Sequence, residues 1–161
     1  PVTCFSQALT TFIGQNLGAK EYDRTKKGAL FGTICGIGIA EVIGIAVFFF
    51  SPYLIAAFGG DQKAIEYGIA EAHTIALFYC LLAFSHCMAA IQRGAGRSIV
   101  PMFVMMLVWC GVRVTYISIV IRIIPVINVI YWAYPLTWFI SSVIFLILFL
   151  KTDWIHGLEK Q

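Results

Sequence analysis

Apolar residues fill four long stretches of the chain, and short polar clusters separate them. Residues 29–51, 70–91, 100–124 and 131–150 are each predicted as a membrane-crossing helix, because about 20 residues at 1.5 Å rise cover the ~30 Å hydrocarbon core. Residues 1–18 keep a helical pattern but carry Thr3, Ser6, Gln7, Thr10, Thr11, Gln15 and Asn16. They are predicted as the end of a fifth helix, whose uncharged polar face suits a water-filled cavity better than lipid. The prolines bracket the spans. Pro52 is expected to close the first, Pro101 to open the third, Pro125 to follow it, and Pro135 to fall near the first turn of the fourth. No segment alternates as a membrane-barrel strand would. The fold class is therefore an all-α polytopic membrane protein, with four full spans plus part of a fifth.

Composition narrows the function. Of 161 residues, 60% are hydrophobic and 12% charged, whereas soluble domains carry about 25% charged residues. This excludes a soluble enzyme, a disordered tail, a nucleic-acid binder and a small secreted scaffold. The chain opens at Pro1 within a helical pattern, without an initiator Met or a charged signal region, so a fragment of a larger membrane protein is expected.

Charge placement predicts orientation. Of the 11 Lys and Arg, eight lie in residues 20–27, 92–99 and the tail 151–161. Only Lys63 and Arg122 lie on the other side, and Arg113 is inside a span. The positive-inside rule then puts the tail and the two basic turns in the cytoplasm, and the expected location is a bacterial plasma (inner) membrane. Tyr131, Trp132, Tyr134 and Trp138 are expected as an outer aromatic belt, with Trp154 near the inner surface. The five cysteines have no zinc-type spacing and read as small apolar residues.

Several residues could carry chemistry. Gly28, Gly32, Gly36, Ala40 and Gly44 recur every four residues, forming a stripe where another helix can approach closely. Glu41 lies near mid-span, where a carboxylate costs about 3 kcal/mol or more, so it must be paired, protonated or hydrated. It is a candidate proton or cation site, as is His86 in the second span. Arg113 cannot lose its charge and needs an anion or carbonyls. A Glu41–Arg113 pair is one option, and a structural role is favoured for Arg113.

Three motifs carry a family resemblance. They are Thr11-Phe-Ile-Gly-Gln-Asn-Leu-Gly-Ala-Lys20 with Tyr22-Asp-Arg24 and Lys26-Lys-Gly28, then Gln92-Arg-Gly-Ala-Gly-Arg-Ser98 with Pro101, then Tyr134-Pro-Leu-Thr-Trp138. In order and spacing they resemble the second half of the multidrug and toxic compound extrusion (MATE) family. That resemblance implies twelve helices in two six-helix lobes, with residues 1–18 ending helix eight and the four spans forming helices nine to twelve. It implies substrate-cavity roles for Gln7, Thr11, Gln15, Tyr79, Ser85 and His86. It implies conformational roles for Gly18, Arg93, Gly94 and Gly96 in tight basic turns, and for Arg113, Tyr134 and Pro135. The implied activity is export of cationic or amphipathic organic compounds in exchange for H⁺ or Na⁺. The second span lacks the mid-helix acid of some members, which leaves the coupling ion open. The expected partners are small organic cations, the lipid bilayer and an N-terminal lobe of the same chain, with no nucleic acid, metal or cofactor. Two other readings stand beside it. A lipid-linked oligosaccharide flippase would need several deep cations, and only Arg113 is deep; a truncated, non-transporting product is the other. A membrane enzyme would need a nucleophile–base or metal cluster at the membrane surface, which the sequence lacks.

Overall fold

The computed structural model describes residues 1–124, 126–152 and 154–155. Pro125, Asp153 and residues 156–161, including Lys160 of the predicted tail, lie outside the described residues. The described residues are helical and contain no strand: α1 Val2–Gly18, α2 Tyr22–Ala57, α3 Gln62–Ala76, α4 Tyr79–Gly94, α5 Ile99–Met105, a π-helical segment Met106–Val112, α6 Arg113–Ile123 and α7 Asn128–Lys151. Three continuous helices, Tyr22–Ala57, Ile99–Ile123 and Val129–Lys151, are long and apolar enough to cross a membrane. Taken together, the pair α3–α4, bent by 56° at its junction, is a fourth stretch long and apolar enough to cross. The chain is thus an all-α polytopic membrane protein.

Two expected boundaries move. Pro52 does not close its helix; α2 continues through it to Ala57. A proline at 52 leaves the Phe48 carbonyl without its usual donor, and the Ser51 hydroxyl donates to that carbonyl at 3.2 Å instead. The second span is not one helix. It breaks at Leu77–Phe78, where the Phe78 N–H turns back to the Ile75 carbonyl at 3.0 Å. Neither proline nor glycine marks that break. Pro135 sits inside α7, about two turns from its start, and Pro101 lies in the first turn of α5 as expected.

The centre of the bundle is α4, which packs on α1, α2, α5 and α7. It presents the small residues Ala83, Ser85, Cys87, Ala89, Ala90 and Gly94, and just beyond its end Ala95, all buried. Small residues suit this position, because lipid supplies no hydrophobic drive between helices and association depends on close packing. At Gly94 a Cβ would meet Ile13 Cβ and the Thr10 carbonyl oxygen, both at 2.7 Å. Gly94 is therefore a packing contact between α1 and α4, not the turn residue expected of it. The α2 stripe does the same work: Gly28 meets Phe12, Gly32 meets Leu9, and Gly36 meets Cys87 and Phe5. These pairings run α2 antiparallel to α1.

The basic turns share one cap geometry. After α1, the Glu21 N–H donates to the Asn16 carbonyl at 2.9 Å around Lys20, whose φ is 59°. After α4, the Arg97 N–H donates to the Gln92 carbonyl at 2.9 Å around Gly96, with φ 78°. Both are six-to-one closures around a left-handed residue. Gly96 is the left-handed residue of the second turn, whereas Gly18 is the last residue of α1 and Lys20 makes the first turn.

The expected aromatic belt is mostly turned inward. Tyr131 and Trp138 are buried and Tyr134 is half-buried, because positions 131, 134 and 138 share the α7 face that packs on the bundle. Only Trp132, 52% exposed, points outward. Trp154 is also buried, stacked on Phe149 at 5.2 Å.

Replacing Gly94 by Val is expected to lower the detergent melting midpoint of the protein, since overpacking costs about 1–3 kcal/mol. Gly18→Ala, with nothing within 4 Å of the added carbon, is expected to leave it unchanged or slightly higher. Equal losses at both positions would contradict the α1–α4 contact.

Candidate functional site

Helix α1 has two faces. Ser6, Leu9, Ile13, Asn16 and Leu17 are buried on one of them. Gln7, Thr11 and Gln15 recur every four residues on the opposite face and are exposed, as is Thr3 one turn earlier. The Thr11 hydroxyl donates to the Gln7 carbonyl at 3.2 Å, and the buried Asn16 amide donates to the Phe12 carbonyl at 2.7 Å. The exposed face keeps two primary amides and two hydroxyls, enough to bind uncharged or cationic solutes by hydrogen bonding.

A second group forms where α4, the π segment, α6 and α7 meet. The Arg113 guanidinium lies 4.3 Å from the Tyr134 ring centre and 6.0 Å from that of Trp109. Its Nη2 donates to Thr137 Oγ1 at 2.8 Å. Its Nε is buried without a partner. Aromatic faces and a hydroxyl thus hold this half-buried cation, a geometry worth about 1 kcal/mol for the closer cation–π contact. The structure does not pair Arg113 with Glu41. Trp109 also meets His86 edge-on at 5.4 Å, and Tyr79 lies 6.2 Å from Trp138. His86, Tyr79 and Tyr134 are therefore joined in one aromatic cluster with Arg113.

Ser85 does not face a cavity. Its hydroxyl has no solvent exposure and lies 2.9 Å from both Ser141 Oγ and Ser142 Oγ. Ser142 donates on to the Leu81 carbonyl at 3.2 Å, and Trp109 Nε1 donates to Ser141 at 3.3 Å. This serine knot fastens α4 to α7. Hydrogen bonds of this kind contribute roughly 0.6 kcal/mol each between membrane helices. The α7 members of these clusters, Thr137, Ser141 and Ser142, were not singled out from sequence. Their three- and four-residue spacing with Tyr134 and Trp138 is the signal that could have found them.

Glu41 stands apart from both groups. It borders a cavity of about 180 Å³ with Gly44, Phe48, Ala76 and Leu77, at the break between α3 and α4. Its Oε2 is buried and has no hydrogen-bond partner, and the Cys80 thiol lies beside the carboxylate. Gly44 lets the Ala76 carbonyl approach; a Cβ there would lie 2.6 Å from that oxygen. One turn further, His73 stacks on Phe48 at 4.3 Å. No group of three metal-ligating side chains is present among the described residues. Arg93 is half-buried at the last turn of α4.

Comparison with known proteins fits this arrangement. A relative described as probable multidrug resistance protein NorM, from Thermotoga maritima, is 29% identical over 104 residues, which is 65% of this chain and 22% of the relative. The chain thus spans about a fifth of that relative's length. The family model described as MatE matches residues 1–124, from α1 through the end of α6. The uncovered polar face of α1, the α4 hub and both basic turns lie inside that match, and the chain belongs to the MatE family.

Proposed function

We propose that this chain forms part of one lobe of a secondary active transporter that exports cationic or amphipathic organic compounds in exchange for H⁺ or Na⁺ by alternating access. The observation that carries the proposal is the row Gln7, Thr11 and Gln15, polar, uncharged and uncovered on a helix whose opposite face packs the bundle. A polar face at membrane depth is tolerated where it borders water. The similarity to a relative described as a probable multidrug resistance protein agrees with this reading.

In this reading the α1 row binds solute weakly through amides and hydroxyls. Tyr79 adds aromatic surface for flat cations. Glu41 is the preferred coupling group, because an ionised carboxylate with a buried, partnerless oxygen is stabilised by taking up a proton or a metal cation. His86 is the second candidate, held against Trp109. Cation occupancy at Glu41 would favour one facing of the lobe and substrate the other, by differential binding. The end carrying Lys20–Lys27, Arg93, Arg97 and Lys151 faces the cytoplasm of the plasma membrane, where basic residues meet anionic lipid.

Three measurements on the full-length protein test this. In proteoliposomes, the double variant Thr11→Leu, Gln15→Leu is expected to cut dye export at least about ten-fold, as loss of paired polar contacts does; unchanged export would remove the α1 row from the path. Glu41→Gln is expected to abolish the dependence of export on the imposed H⁺ or Na⁺ gradient, and retention of that dependence would assign coupling elsewhere. Labelling of Ser98→Cys by an impermeant thiol reagent is expected only after the membrane is opened, whereas Lys63→Cys labels from outside. The opposite pattern would invert the topology.

A further inference from the structure

Helices α2 and α7 both pack on α4 and leave a groove between them. Its volume is about 490 Å³. The floor is Phe84, Met88 and Ile91 of α4. The α2 wall runs from Lys26 to Thr33 and the α7 wall includes Leu146 and Leu150. Trp154 closes the end near Lys26. We infer that this groove is a binding site for an anionic phospholipid, with acyl chain along α4 and phosphate at Lys26.

Three observations carry this. First, the lining is apolar except for Thr33, whose hydroxyl is already bonded to the Ala29 carbonyl at 2.8 Å, and Lys26, which stands at one end. An apolar trough with one cation at its mouth matches the two parts of an acidic lipid. Second, the groove opens to the outer surface of the bundle. Leu30 and Leu150 on its two rims are 66% and 75% exposed, continuous with exposed Phe31, Ile34 and Ile147. Third, the charged end of the groove sits at headgroup depth. Lys26 lies just inside the start of α2, the depth at which a lysine reaches the interface. The buried Trp154, stacked on Phe149, gives the same end a residue type that favours the headgroup level. The site does not depend on what the protein transports.

The test is native mass spectrometry of the full-length protein after incubation with equal amounts of palmitoyl-oleoyl phosphatidylglycerol and phosphatidylcholine. Phosphatidylglycerol is expected to be retained over phosphatidylcholine by about five-fold, the preference one near-surface lysine supplies. Lys26→Gln is expected to equalise the two lipids. Leu146→Trp, which fills the groove from a partly exposed wall position, is expected to lose the retained lipid, with the melting midpoint in detergent confirming that the variant is folded. Equal retention of the two lipids by the unmodified protein, or retention undiminished in folded Leu146→Trp, would overturn the site. Retention of no lipid would also overturn it, and would mean that another segment or protein covers the groove.

Discussion

Close approach of α4 to its neighbours is the constraint on which the rest of the structure depends. In a bilayer, lipid tails solvate an apolar side chain as well as a neighbouring helix does, so burial alone does not hold helices together. The contact must be short enough for dispersion and polar contacts to accumulate. Gly94 against Ile13 and the Thr10 carbonyl, and Gly36 against Cys87, supply that shortness. The Thr10 hydroxyl adds a hydrogen bond across the seam, to the Ala90 carbonyl at 3.2 Å. Once α1 is fixed through its buried face, its polar face has no place inside the bundle. The uncovered row of amides and hydroxyls is thus a consequence of how α4 packs.

The same scarcity of water governs the polar groups elsewhere. Ser85, Ser141 and Ser142 satisfy one another, and Arg113 is held by Tyr134, Trp109 and Thr137. Glu41 differs. One of its oxygens is buried without a donor, beside a span that has already broken its backbone ladder. Broken spans place backbone carbonyls at membrane depth, and such places suit ions. The molecule therefore has two kinds of uncovered surface, a polar row on α1 and apolar walls along α2 and α7. In the proposed reading they take different neighbours, solute and water for one and lipid for the other.

Much of this was legible in the sequence because apolar runs of membrane length leave few alternatives. The continuous spans, the alternation of basic turns and the small-residue stripe of α2 all follow from one-dimensional patterns. The break at Leu77–Phe78 was not legible, since no proline or glycine marks it and its neighbour Gly44 is over 30 positions away. Pro52 was misread for a local reason: the Ser51 hydroxyl replaces the missing donor and lets the helix continue. Ser85 takes its cavity role only from the resemblance, by its place in the second span. Its partners Ser141 and Ser142 lie far along the chain, and only the packing of α7 on α4 brings them together. The aromatic residues of α7 have the residue types of a belt, but their helical phase turns Tyr131, Tyr134 and Trp138 toward the bundle.

In the proposed transporter α1 presents its polar row to water while the rim of α2 faces lipid. Reactivity of single cysteines in a cysteine-less full-length protein measures this directly. With a charged, membrane-impermeant thiol reagent applied to opened vesicles, Thr11→Cys is predicted to react, and an added substrate is predicted to slow that reaction. Leu30→Cys is predicted to stay unmodified under the same conditions. Rapid modification at Leu30→Cys with none at Thr11→Cys would contradict the account.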